Sequence, residues 1–215
     1  MVNLEHIRKN IILKNGIHYF DFTASGLAYK PIEDEIIKVL ETYANTHSIS
    51  SSNAFKTAEI YENSRRELKY FLDLDDSFYL FACGSGATSA IKKFQEILGI
   101  YAPPALKKRY KLKPDENSPL VVLGPYEHHS NEVSFRQALC EVERIRLDKN
   151  GGIDFNHLEQ ILKINVGREI IASFSVASNV TGILSDYRKI YTLVKSYGGI
   201  VAYDAASFSA YANIY

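Results

Sequence analysis

Residues 78–99 read FYLFACGSGATSAIKKFQEILG, and the fold turns on how they are read. Phe78–Ala82 is a short apolar run with the length and composition of a buried strand. Gly84-Ser85-Gly86 breaks it, and a helix is expected over about 87–99. Downstream the same alternation recurs. Leu120–Leu123, Ile170–Phe174 and Ile200–Tyr203 read as strands, with helices at about 130–139, 154–164 and 187–197. Upstream, 31–46 opens on Pro31 with acids in its first turn, a helix start. Residues 54–72 place Ile60, Leu68, Phe71 and Leu72 near helical spacing. Short apolar strands separated by helices predict an α/β protein: a three-layer sandwich with a mainly parallel sheet between helices.

Composition narrows the function. The 215 residues carry 25 Lys+Arg and 25 Asp+Glu, so the net charge is 25 − 25 = 0. A dedicated nucleic-acid binder usually carries a basic excess. No apolar run approaches the roughly 18 residues of a membrane span. The first residues lack the apolar core of a signal peptide, so a cytoplasmic protein is expected. Two cysteines, Cys83 and Cys140, make no disulfide scaffold and read as core or near-core thiols. Residues 100–118 hold three prolines and a basic run from Lys107 to Lys113, which read as a solvated surface insertion.

Four motifs carry chemistry. Gly84–Ser89 precedes a helix, whose first turn offers unpaired N–H groups and a positive dipole end to a phosphate. Glycines admit the ligand to the backbone, and Thr88 adds a hydroxyl. Ser89 stands where a dinucleotide fingerprint has its third glycine, and no acid ends the next strand, which disfavours a nicotinamide dinucleotide. Glu127-His128-His129-Ser130-Asn131 follows the strand ending at Leu123. Neighbouring histidines rarely share one ion and no further ligands complete a set, so metal is not expected. A stacking or proton-carrying ring fits better. Ser175–Gly182 is a small polar loop at another strand end, where Asn179 either faces a ligand or bonds its own backbone. Asp204 closes the last strand, where a partly desolvated carboxylate either caps the next turn or pairs with a protonated ligand nitrogen.

In their order, these motifs resemble the class V aminotransferase family of pyridoxal-phosphate enzymes, especially its cysteine desulfurase and selenocysteine lyase branch. His18–Gly26, Asn45-Thr46-His47 and Tyr61–Arg65 are similar to family segments as well. The resemblance implies the large domain of a fold type I enzyme, transferase or lyase, acting on an amino acid and usually dimeric. Within it, Gly86, Ala87 and Thr88 would hold the cofactor phosphate and His128 would stack over the ring. Asn179 would lie near the phenolic oxygen, and Asp204 would pair with the ring nitrogen. Ser207 stands where many relatives have Gln, and Ser48 where Arg often follows Asn-Val-His. The family's Schiff-base lysine lies downstream of the Asp, whereas the last lysine here is Lys195.

The resulting expectation is the N-terminal part of a pyridoxal-phosphate enzyme, truncated and inactive alone. Residues 1–25 would form a segment packing on a small domain outside this sequence, and 26–215 an incomplete cofactor-binding domain. The alternative is a non-catalytic or vestigial protein that holds a phosphorylated ligand, pyridoxal phosphate or a nucleotide.

Overall fold

A computed structural model describes residues 3–212 of the chain. They divide into a first unit ending at Phe81 and a second beginning at Ala82.

The first unit is helical: α1 (Leu4–Asn10), α2 (Lys30–Leu40) and α3 (Ser52–Phe71). Asn3 and Ser51 cap α1 and α3 by accepting from His6 N and Ala54 N. Helix α2 stops well short of 46, and Ala44 N instead donates to Thr57 Oγ1 at 3.1 Å. Among the described residues of this unit only Ala54 and Thr57 are buried. Ile32, Ile37 and Leu40 of α2 are more than half exposed. This unit therefore has helices without a core of its own.

The run Phe78–Ala82 forms no strand, against the sequence expectation. Phe78 and Tyr79 are exposed, and the Leu80 carbonyl accepts from the Arg65 guanidinium at 3.2 Å. A strand needs a neighbour to take its backbone hydrogen bonds. No strand pairs with 78–82 among the described residues, so the apolar run has no register.

The second unit holds the core. Its elements are α4 (Gly86–Ile97), α5 (Pro104–Tyr110), β1 (Leu120–Leu123), α6 (His129–Gln137), β2 (Glu141–Arg144), α7 (Phe155–Ile164), β3 (Ile170–Ser175), α8 (Tyr187–Ser196) and β4 (Ile200–Asp204). The four strands form an all-parallel sheet in the order β2-β1-β3-β4. Alternate side chains sort to two faces. Leu120, Val122, Ala172 and Phe174 pack with Leu158, Leu162, Ile190 and Val194 of α7 and α8. Val121, Leu123 and Ile171 pack with Phe135 of α6 and Phe94 of α4. The sandwich thus has three layers. Strands β1 and β3 are buried along their whole length, the continuous apolar pattern of a covered parallel sheet.

The two edges differ in chemistry. Strand β2, Glu-Val-Glu-Arg, escapes a search for apolar runs because its charges face water, and charge protects an edge. Strand β4, Ile-Val-Ala-Tyr-Asp, has the composition of an interior strand but pairs only with β3 among the described residues. The 100–118 stretch contains α5, whose Lys107 ammonium donates to the carbonyls of Gln137 and Ala138 at 2.8 and 3.1 Å. Cys140 is buried, whereas Cys83 is half-buried.

Candidate functional site

Parallel strands put their carboxyl ends on one edge, where α/β proteins hold ligands. Here that edge brings together the turn after β1, the loop after β3 and the end of β4. Asp204 is half-buried, and its Oδ1 accepts from Ala206 N at 3.1 Å, capping the turn that follows. It lines a cavity of about 260 Å³ with Ser173, Ala202 and Tyr203 of the sheet and Ala90, Ile91 and Phe94 of α4. That size lies at the small end for small-molecule sites, about 300–1,000 Å³, and suits a single heterocycle. The Tyr203 hydroxyl donates to the Tyr187 carbonyl, and burial pushes its pKa up to about 12.

Helix α4 begins without a side-chain cap on its first N–H groups. Gly86 has φ +71°, a left-handed conformation that favours glycine. Gly84 also has positive φ, and a Cβ there would meet Ser89 Oγ at 2.6 Å. Ser89, at the position of the fingerprint's third glycine, therefore packs against the first. Thr88 and Ser89 line a second cavity of about 230 Å³, with Lys92, Gln95, Tyr101 and Ser134 among its walls. Thr88 is thus not among the residues around the Asp204 cavity.

His128 is the N-cap of α6, and its Nδ1 accepts from Ser130 N at 3.2 Å. That bond leaves Nδ1 unprotonated and places the proton of the neutral ring on Nε2. Both His128 and His129 are exposed, with ring centroids 5.9 Å apart. In the loop after β3, the Ser178 hydroxyl accepts from Val180 N and Thr181 N at 3.2 and 3.1 Å. Ser178, not Asn179, therefore builds that turn, and Asn179 is exposed. Ser207 is half-buried in the turn after β4 and does not line the Asp204 cavity.

Beside this edge lies a polar cluster in which half-buried Glu127 meets buried Asn131, Ser173 and Ser175. Glu127 Oε1 accepts from Ser175 N at 2.9 Å. Its Oε2 accepts from Ser175 Oγ at 2.8 Å and from Asn131 Nδ2 at 2.6 Å. Asn131 is fully buried, and its Oδ1 accepts from Ser173 Oγ at 2.8 Å. Burial raises the Glu127 pKa against these hydrogen bonds, and the Asp204 carboxylate adds to the rise. The signal was present: Ser173 and Ser175 alternate in an otherwise apolar strand, and Glu127 and Asn131 lie four residues apart.

The chemistry of this edge fits a phosphorylated nitrogen heterocycle. A carboxylate lines a ring-sized cavity, and an uncapped helix start, whose N–H groups suit a phosphate, belongs to the helix that walls it.

Comparison with known proteins agrees. The family model described as Aminotransferase class-V matches residues 18–214. A probable cysteine desulfurase of Pyrococcus abyssi is 28% identical over 207 residues, which cover 94% of this chain and 47% of that protein. The apo structure of a cysteine desulfurase from Thermococcus onnurineus superposes with TM-score 0.75 at 24% identity, covering 95% of this chain and 48% of that one. A cysteine desulfurase structure from Escherichia coli gives TM-score 0.65 at 21% identity, covering 95% and 49%. These structures share the fold, and the chain spans about half the length of each of these relatives.

Proposed function

The chain belongs to the class V aminotransferase family, and from that premise we propose that it is the N-terminal, cofactor-cradling part of a pyridoxal-phosphate enzyme acting on an amino acid, most simply cysteine. The observation that carries this reading is Asp204 in a ring-sized cavity walled by Ala90, Ile91 and Phe94 of α4. When bound, pyridoxal phosphate supplies an electron-withdrawing ring that eases bond breaking at an amino acid's α-carbon. Asp204 would hold the ring nitrogen protonated, because the ion pair favours both charged forms. The N–H groups from Gly86 to Thr88 would hold the phosphate, and His128 would cover one face of the ring. Asn179 and Ser207 flank the same edge and would orient the ring's oxygen substituent. The last lysine, Lys195, lies in α8 ahead of Asp204. These 215 residues by themselves are proposed to bind the cofactor without turning over substrate. The working enzyme is proposed to be a cytoplasmic dimer. Among the described residues no helix is long and apolar enough to cross a membrane.

Titration of the chain with pyridoxal phosphate, followed by absorbance and fluorescence, tests the assignment. Gly86→Asp should weaken binding at least tenfold, since it sets a charge against the phosphate. Asp204→Asn should shift the absorbance of the bound ring. Unchanged affinity in the first variant and an unchanged spectrum in the second refute the reading. A nucleotide that binds where pyridoxal phosphate does not favours the alternative of a phosphate-ligand binding protein.

A further inference from the structure

Glu127 is half-buried, and a carboxylate withdrawn that far from water is a poor choice unless its hydrogen bonds do something that an apolar residue would not. Its three donors come from two separate elements. Ser175 N and Oγ belong to the end of β3, and Asn131 Nδ2 belongs to α6. The carboxylate itself sits on the turn that leaves β1. The network continues from Asn131 to Ser173, which lines the Asp204 cavity. Its other end is covalently next to His128, the α6 cap. One connected set of hydrogen bonds therefore reaches from the cavity wall, through buried Ser173 and Asn131 and half-buried Glu127, to the exposed histidine turn.

We propose that Glu127 is a positioning residue, which locks the His128 turn to β3 through Ser175 and to the cavity wall through Asn131 and Ser173. The turn and the wall then hold one arrangement before any ligand arrives. The inference deepens the proposed function, because a ring that stacks on a ligand is useful only if its orientation is set in advance. The geometric claim stands on this chain alone.

Direction matters in such a network. Glu127 only accepts, Asn131 donates to it, and Ser173 donates to Asn131. In Glu127→Gln the new amide faces either Asn131 Nδ2 or Ser175 N, donor against donor. Relief comes only if Asn131 turns its amide over and Ser173 reverses its hydroxyl. Asn131→Asp sets two carboxyl groups face to face, which is relieved only when one of them takes up a proton. The double swap, Glu127→Gln with Asn131→Asp, restores a donor opposite an acceptor and keeps the Ser173 bond.

The test uses the whole chain with ¹⁵N-labelled histidine and no ligand. Two-bond ¹H–¹⁵N correlations read the His128 tautomer, assigned by comparison with His128→Ala. Wild type should show an unprotonated Nδ1. Asn131→Asp should lose that signature to a tautomer mixture, Glu127→Gln should shift it, and the double swap should return it. Amide spectra of β1 and β3 report that each variant is folded. A His128 signature unchanged in both single variants overturns the proposal. So does a double swap no closer to wild type than either single variant, which would mean that the residues act through packing or net charge. Pyridoxal phosphate titration of the same samples separates the two readings. Failure to bind with the tautomer pattern as expected removes the proposed ligand and leaves the positioning role.

Discussion

Gly124 ends β1's buried run, and replacing it by alanine strikes the core and the site in one step. An added Cβ would meet Glu127 Oε1 at 2.3 Å and Phe174 Cδ1 at 2.9 Å. Carboxylate ends usually swing away at little cost, but three hydrogen bonds hold this one. Phe174 is fully buried and has nowhere to retreat. Overpacking costs about 1–3 kcal/mol. Weakening one hydrogen bond to a charged group adds about 1.5 kcal/mol. The backbone of Gly124 is not left-handed, so alanine regains about 0.4–1 kcal/mol through the unfolded state. The net expectation is a loss of about 1.5–4 kcal/mol, a large share of a stability of about 5–15 kcal/mol. Urea unfolding measures it as a lower midpoint at unchanged slope. Gly26→Ala, with nothing within 4 Å of its Cβ, is the control and should stay within about 0.5 kcal/mol. In a Glu127→Ala background the Gly124→Ala cost should fall by about 1 kcal/mol or more, because one of its two collisions has gone. Equal costs in the two backgrounds, or a cost below about 0.5 kcal/mol in wild type, would refute the reasoning.

Burial holds the Cys140 thiol up to about 11, with Lys107 opposing weakly, against 9.0 for an ordinary thiol. A raised pKa means the folded state keeps its proton, so this stability is complete below pH 9 and is lost as pH rises through 11. Cys140→Ala should flatten the stability curve between pH 9 and 11, and in native protein Cys140 should resist thiol reagents at pH 8. His128→Ala removes the α6 cap and should cost about 1 kcal/mol in thermal or urea unfolding, whereas His129→Ala should cost much less. Amide exchange should be fast across α2 and α3 and slow in β1 and β3, because among the described residues only the second unit has a packed core. Comparable protection in both units would show that the helices of the first are independently stable.

Local chemistry was enough for much of this protein. The largely apolar runs at 120–123 and 170–174 read as strands covered on both sides, and the helices between them pointed to an α/β sandwich with its ligand edge at the carboxyl ends. The positions of His128, Asn179 and Asp204 followed from chain order alone, since each comes directly after a strand or ends one. What the sequence could not decide was whatever depends on a neighbour from elsewhere in the chain. Phe78–Ala82 has the composition of a strand, but composition supplies no hydrogen-bonding partner, and no strand formed. Glu141–Arg144 has the composition of a surface segment, but β1 supplied the ladder, and a strand formed. The same holds within the site. Thr88 and Asp204 belong to one ligand-binding pattern in sequence, yet helix α4 turns Thr88 toward α6 and gives Ala90, Ile91 and Phe94 to the Asp204 cavity. Glu127 looked like a prefix to two histidines. Only the packing of β3 and α6 around it made it a half-buried acceptor of three hydrogen bonds, because burial and hydrogen-bond direction are properties of the assembled neighbourhood and not of any one residue.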